Sequence, residues 1–555
     1  MSYNGNGDMD SKNNNYAQDL FKASSLAEIN TSWVDIESTN GKDFTENSGK
    51  IDLYIPPNIQ FFDPSASYLS FDLEIENSDG TPIEPLRQGV SSMFRSVRIY
   101  SAGANAQMLE EIDNYSLWVD ILYNYTQNLV GDLDKKSMTE LVKPWNYLNE
   151  PKNEITWTPF KNPLALGTGD ITTARTSCKQ RVNVPLHTGI FRKSEVFCNA
   201  LVGGIRIEIQ LRTTKESYRA NVVNRDVATF GASHYPLNGA AVGTGALVGT
   251  AGITINNELK KGFHRTDSNY QNSSAPLNLG QTIKLYKVSD TTISNDLGSV
   301  TKISTNGGKF RIEFSGTATI GTAVLGGTTA GTQNSLYVGV DPTTIAGTYK
   351  ISNLSMKVCE IQPPAPWVNS LLSMASSNQG WNYDVLTITN YQNSHNSGNS
   401  AIISHIPTTQ TRIKSILSAP VSIATASYIN NQQKSNYDRY TDYQYFYLNQ
   451  NQPNERIPLT RIGNNVPEAL HLDQVKKSLE DGCEYKVQNL REFEDCFVLG
   501  RGVSYGKGSL NLEGKDLMLK LNTSSNGLQH NTILNHYVCS IRRIKVSSAG
   551  LEVFY

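Results

Sequence analysis

The sequence predicts an all-β chain built from antiparallel sandwiches, and three observations carry that prediction. Apolar residues recur at every second position in many short segments, the period of a strand with one face in a core. Turn-forming residues separate these segments and no strand–helix–strand rhythm runs along the chain, which favours sandwiches over a parallel sheet. The polar fraction is dominated by Asn, Ser, Thr and Gly, side chains suited to strands and tight turns. With 38% hydrophobic and 18% charged residues, and with 27 Tyr, 17 Phe and 6 Trp, the composition is globular, not disordered. A chain of 555 residues exceeds what one core organises, so two or three domains are expected.

In chain order, residues 1–45 are polar with short apolar clusters such as Leu20-Phe21, and are expected to form an arm ordered by contact with a neighbour. Strands begin at Ile51–Ile55 and continue with Tyr68–Asn77, where Leu69, Phe71, Leu73 and Ile75 alternate with Ser70, Asp72, Glu74 and Glu76. Val97 and Ile99 continue the pattern around Arg98. The spacing of Met108, Ile112, Tyr115, Val119 and Leu122 predicts a helix over Met108–Asn128, with Glu110, Glu111 and Asp113 loading its first turn. Further strands are expected at Arg181–Leu186 and Ile205–Leu211, the latter in strict alternation. Residues 216–345 are rich in Gly, Thr, Ala and Ser and hold strand candidates such as Lys309–Phe314; they are too long for a plain loop and predict a β-rich insertion. Alternation resumes at Leu354, Met356 and Val358. Pro363–Trp367 then breaks the chain, which places a boundary between a first sandwich over 46–361 and a second over 362–555. The second contains strand candidates at Asp384–Thr389, Ala401–Ile406, Arg412–Ser418, Leu517–Leu521, Tyr537–Ile544 and Leu551–Tyr555.

The charge balance, 49 basic against 51 acidic residues, lacks the basic excess of a dedicated nucleic-acid binder. The short clusters Lys260-Lys261 and Arg542-Arg543-Ile544-Lys545 read as solvated strand faces. Cys178, Cys198, Cys359, Cys483, Cys496 and Cys539 show no metal-ligand spacing and are expected to be buried reduced thiols. No run of 18 apolar residues occurs and residues 1–20 lack a signal-peptide pattern, so synthesis in a cell interior without secretion is expected. On that footing the acceptor pattern Asn124-Tyr125-Thr126 carries little weight.

No candidate for catalysis, cofactor binding or metal binding outweighs its structural alternative. The eight histidines (187, 234, 264, 395, 405, 471, 530, 536) fall in no metal-binding spacing. Gly502-Val503-Ser504-Tyr505-Gly506 matches a nucleophile elbow, and Asp516 with His530 or His536 follows in a hydrolase order. The residues after it read as a turn and strands, where an elbow needs a helix. Gly500–Ser509 has the wrong glycine spacing for a phosphate loop, and Gly508 follows Lys507 where Ser or Thr is required. The carboxylate pairs Glu110-Glu111 and Glu492 with Glu494 are too close in sequence to span a cleft. The prediction is therefore no enzyme, no catalytic residue, no cofactor and no metal.

Four stretches taken together resemble the major capsid proteins of polintons, polinton-like viruses and virophages, within the lineage of adenovirus hexon. They are YLSFDLEIEN (Tyr68–Asn77), GVSSMFRSVRIYSAGANAQMLEEIDNYSLWVDILY (Gly89–Tyr123), Val182–Leu211 with VNVPLHTGIF and LVGGIRIEIQL, and Gly502–Tyr555 with SLNLEGKDLMLKL and HYVCSIRRIKVSSAG. The likeness spans both ends of the chain and leaves 216–345 unmatched. It implies a double jelly roll: two eight-stranded antiparallel sandwiches with few short helices. It also implies homotrimeric, pseudo-hexagonal capsomers tiling the icosahedral shell of a double-stranded DNA virus, with penton and minor capsid proteins as further partners. The alternative is a virion fibre or glycan-binding adhesin, which the Tyr, Asn and Thr content also suits.

Overall fold

The structure, a computed structural model, describes residues 30–77, 83–86, 88–103, 106–126, 139–142, 170–171, 177–192, 196–220, 252–256, 282–287, 290–306, 309–315, 336–340, 347–377, 380–423, 435, 437–459, 469–488, 496–503, 509–547 and 550–554. Eight strands build the first sandwich: β1 (Asn30–Glu37), β2 (Lys50–Ile55), β3 (Phe61–Asn77), β4 (Phe94–Ser101), β5 (Met108–Ile112), β6 (Ser177–Pro185), β7 (Ile205–Leu211) and β8 (Gly347–Gln362). Their hydrogen-bonded orders are β1-β8-β3-β6 and β2-β7-β4-β5. Eight more build the second: β9 (Trp381–His395), β10 (Ala401–His405), β11 (Ile413–Ser422), β12 (Tyr440–Tyr447), β13 (Gln450–Pro458), β14 (Leu499–Gly502), β15 (Met518–Thr523) and β16 (Thr532–Ser547). These are ordered β9-β16-β11-β14 and β10-β15-β12-β13.

Adding eight to each label of the first sandwich reproduces the second. In both, the first strand pairs with the last, the second with the seventh, the third with the sixth and the fourth with the fifth, all antiparallel. A long hairpin rolled on itself in this way is a jelly roll. The chain is therefore all-β and contains two of them.

Each sandwich closes on the apolar set of its alternating strands. Leu69, Phe71, Leu73 and Ile75 of β3 pack in one cluster with Ile51, Leu53 and Ile55 of β2 and Ile205, Ile207 and Ile209 of β7. Every one of these side chains is essentially excluded from solvent, and each contributes about 1.5–3 kcal/mol of burial free energy. The second core gathers Tyr443, Tyr445, Ile457, Leu519, Leu521, Leu534 and Val538. Two of its tyrosines keep their hydroxyls satisfied: Tyr443 donates to the Gly500 carbonyl at 3.0 Å, and Tyr445 lies 2.9 Å from the Ser418 hydroxyl.

The sheet β9-β16-β11-β14 is buried on both faces. Ile413 and Ile416 of β11 belong to the second core, whereas Leu417, Ala419 and Val421 face the first. A parallel bridge between Thr389 of β9 and Glu111 of β5 fuses this sheet with β2-β7-β4-β5, and Gly550–Phe554 pairs with β16 to complete a nine-stranded sheet.

Three elements differ from expectation. The segment 1–45 is not an arm throughout: β1 lies inside it, its Asp35 bonding Lys357 and its Ser32 bonding Glu360 on β8. A polar strand is tolerated there because these cross-strand pairs hold its polar side chains, Asp35 on the solvent face and Ser32 on the face it shares with Val34 and Ile36. Residues 1–29 lie outside the described residues. The expected helix Met108–Asn128 is strand β5 followed, after a turn at Asp113-Asn114, by helix α1 (Tyr115–Thr126). The helical spacing from Met108 to Tyr115 spans that turn, so Glu110 and Glu111 belong to the strand and load no helix terminus. At the proline-rich break stands helix α2 (Ala365–Ala375), with Pro364 as its N-cap.

Between β7 and β8, Gly252–Asn256, Thr282–Lys287, Asp290–Asn306, Lys309–Phe314 and Leu336–Val340 form a separate sheet joined by Asp170–Ile171. The two ends of this excursion lie side by side, because Tyr218 and Tyr349 stack with ring centroids 5.8 Å apart. Replacing 221–346 with a short flexible linker is expected to leave both sandwiches folded, since closure between adjacent ends costs little. Circular dichroism and protease resistance of the shortened chain would check this; loss of cooperative melting would contradict it.

Candidate functional site: the seam between the sandwiches

A jelly-roll pair acts as one block only if the two halves cannot slide, and the residues that prevent it lie around β5 and α1. Eleven of the twelve α1 residues, Tyr115 to Tyr125, are buried. A helix enclosed on all sides lies inside a core, and here even its polar stripe, Ser116, Asp120 and Asn124, is buried.

Polar anchors flank it. The Glu110 carboxylate, fully buried, accepts Gly189 N–H at 2.7 Å and Ile388 N–H at 3.0 Å on one oxygen, and Ile190 N–H at 3.1 Å on the other. It thus ties a short helical turn, Gly189–Arg192, to β9 across the seam. Arg542 of β16 reaches in the opposite direction, donating to the carbonyls of Leu109 (2.8 Å) and Met108 (3.1 Å) and to Thr389 Oγ1 (3.1 Å). Asn114 forms a third junction. Its side chain donates to Asn535 Oδ1 at 3.2 Å and accepts from Arg212 at 2.8 Å, and its carbonyl accepts the Tyr537 hydroxyl at 2.9 Å. Backbone also meets backbone: a Cβ on Gly189 would fall 2.1 Å from the Leu386 carbonyl oxygen, so only glycine fits.

At the far end of α1, the Tyr125 hydroxyl donates to the Cys496 carbonyl at 2.7 Å and Gln488 N–H to the Tyr125 carbonyl at 2.8 Å. Arg192 donates to the carbonyls of Cys483 and Glu484, its guanidinium 3.0 Å from the centre of the Tyr485 ring. Cys483 is bonded to Cys539 of β16, which corrects the expectation of reduced thiols for these two residues. The cause is spatial: the turn Ser478–Gly482 lies on β11 beside β16, so residues 56 apart in sequence meet.

Burial pushes the Glu110 carboxyl from its ordinary 4.5 up to about 7, against the opposing pull of three N–H donors and of Arg542. A folded-state value above the unfolded one means the native protein holds this proton more tightly. The contribution of Glu110 therefore favours the fold fully below pH 4.5 and is lost as pH rises through 7, about 3 kcal/mol in all. Glu110→Gln cannot titrate, so its stability should fall less than the wild type's between about pH 5 and 8. Denaturant midpoints at the two pH values would check it, and parallel shifts in both proteins would contradict it.

The polar side chains of the seam bond to groups across the join. Of the residues in the hydrolase-like order, Ser504 lies outside the described residues, and Asp516 and His530 are exposed. His536 is buried with Nε2 2.8 Å from the Ser404 hydroxyl and Nδ1 2.7 Å from Ser418, so both ring nitrogens are occupied. Burial lowers its pKa to about 3 and keeps the ring neutral. Glu492 and Glu494 also lie outside the described residues. Asn124 of the acceptor pattern is buried and donates to the Asp120 carbonyl. Among the described residues no helix is long and apolar enough to cross a membrane.

The seam's chief residues are the ones that sequence reasoning misses. Arg542, expected on a solvated face, is buried, whereas its neighbour Arg543 pairs with Asp384 at the surface edge. A signal exists in IRRIKV: within an alternating strand, two successive arginines must point to opposite faces, so one of them faces inward.

The fold and seam define a class: two jelly rolls of identical strand order, fused through one continuous sheet. No protein-family model and no curated protein matches the chain. Solved structures similar to it over most of its length include the Faustovirus major capsid protein (TM-score 0.47, 9% identity, covering 94% of this chain and 91% of that one). PBCV-1 VP54, fitted into a reconstruction of the virophage Sputnik, gives 0.46 at 8% identity, with 95% and 97% covered. The mavirus major capsid protein gives 0.38 at 9% identity, with 94% and 90% covered.

Proposed function

We propose that this chain is the major capsid protein of a double-stranded DNA virus, a structural subunit of the virion with no catalytic role. The observation that carries the reading is the duplication: two jelly rolls of one topology, held side by side by a polar seam of buried hydrogen bonds. Three such chains around a threefold axis present six similar blocks, a pseudo-hexagonal outline that tiles a curved shell. The sequence resemblance to capsid proteins at both ends of the chain points the same way. Exposed apolar side chains such as Trp33, 56% accessible on the edge strand β1, suit a subunit covered by its neighbours. Contacts of this permanent kind bury on the order of 2,000 Å² or more per interface. Penton and minor capsid proteins are the further partners, and synthesis takes place in the interior of the host cell.

Negative-stain micrographs of the purified protein are expected to contain pseudo-hexagonal particles with threefold symmetry. Single elongated molecules, combined with specific binding on a glycan array, would favour an adhesin instead.

A further inference from the structure

We infer that the Cys483–Cys539 disulfide is a redox lock on the seam: closed, it fixes the segment 483–488 against the first sandwich, and reduced, it lets that segment release. Cys539 sits in the middle of β16, where its register partners are Ser415 on β11 and Ile388 on β9. Ile388 is the residue whose N–H is held by Glu110 across the seam. Cys483 comes directly after the helical turn Ser478–Gly482, pressed so closely on β11 that a Cβ on Gly482 would meet the Ser415 side chain at 2.0 Å. The Cα atoms of the two cysteines are 6.0 Å apart, within reach of a bridge, and both residues are fully enclosed.

Beyond Cys483 the chain grips the first sandwich. Glu484 has φ +58°, a conformation unfavourable for a side-chain-bearing residue, and its carbonyl and that of Cys483 both receive Arg192. Tyr485 lies under the same guanidinium and edge-on to Trp118 of α1, 6.2 Å between centroids. Gln488 N–H reaches the end of α1. These contacts hold a segment that the disulfide cross-links to β16 of the second sandwich. Cys198, Cys359 and Cys496 are buried and outside this bond.

The bond forms by exchange with a low-molecular-weight disulfide such as glutathione disulfide. One cysteine thiolate attacks it and releases one glutathione thiolate. The second cysteine then attacks the protein sulfur of the mixed disulfide and releases another. Two electrons pass to glutathione, which leaves as two thiols, and one protein disulfide is gained. Because both sulfurs are enclosed, exchange precedes docking of the 483–488 segment or requires its opening. The bond is therefore set by the redox poise the chain meets while it folds.

The test uses the full-length protein equilibrated with glutathione disulfide, then denatured and treated with a maleimide-polymer. Four of the six cysteines should be labelled without reductant and six after reduction, and digestion should yield a peptide joining 483 to 539. Labelling of all six without reductant would overturn the inference. In the native protein, reduction should lower the melting temperature by about 5–10 °C and speed amide exchange at 483–488 and 189–192. Cys539→Ser should show both changes without reductant and no further response to it. Should that variant fail to fold, oxidised and reduced wild type supply the same comparison. Equal melting and exchange in the two redox states would also overturn the inference. These readouts are taken on the purified subunit, so they stand or fall separately from assembly.

Discussion

Val119→Asp is expected to leave the protein largely insoluble or without a cooperative melting transition. Val119 is fully enclosed on α1, in the cluster that includes Trp118, Ile121 and Leu122. A carboxylate there loses its hydration and gains no cation, and such an uncompensated buried charge costs about 3–5 kcal/mol. That is a large share of the roughly 5–15 kcal/mol that holds a typical domain together. The effect should be felt in both halves, because α1 is packed by elements of each. Ser373→Asp on the exposed side of α2 is the matched control and should change little. Scanning fluorimetry and soluble yield would compare the two; a Val119→Asp protein that melts like the wild type would place the helix face wrongly.

Gly189→Ala should be nearly as damaging, although it adds one methyl group. The new carbon would lie 2.1 Å from the Leu386 carbonyl oxygen and 3.0 Å from the Thr387 Cα, both backbone atoms of β9 that cannot rotate away. The turn at 189 or the strand must retreat, and either movement pulls the N–H groups of Gly189, Ile190 and Ile388 off Glu110. Overpacking of this kind costs about 1–3 kcal/mol, and the weakened carboxylate site adds to it. A fall in melting temperature of several degrees is expected, with faster amide exchange on both sides of the seam. An unchanged exchange pattern would show that the close approach does not hold the halves together.

Much of the fold is legible in the sequence because its strands obey the simplest rule available. Ile205–Leu211 alternates without interruption and coincides with β7, and the alternation in Tyr68–Asn77 is the second half of β3. Strands β12 and β13 are hidden from such a reading for physical reasons. In β12 a register shift between Tyr443 and Tyr445 interrupts the pairing, and the core-facing residues are tyrosines set among Asp and Gln. In β13 most side chains are exposed, leaving Ile457 as its buried apolar contact. The strand–turn–helix at 108–126 reads as one helix because Ile112 and Tyr115 fall at helical spacing across a turn. The seam is the least legible part. Glu110, Asn114 and Arg542 look like ordinary surface residues in sequence, and what places them in the seam, Glu110 and Arg542 buried there, is the meeting of two sandwiches far apart in the chain. The same holds for Cys483 and Cys539, whose pairing depends on the third dimension alone.

If the duplicated sandwich exists to be assembled in threes, the mass of the native particle will show it. Light scattering coupled to size-exclusion chromatography at micromolar concentration measures that mass directly. One species of three times the 61.3 kDa chain mass, stable on dilution, is the expected result. A homogeneous species at 61.3 kDa would contradict it.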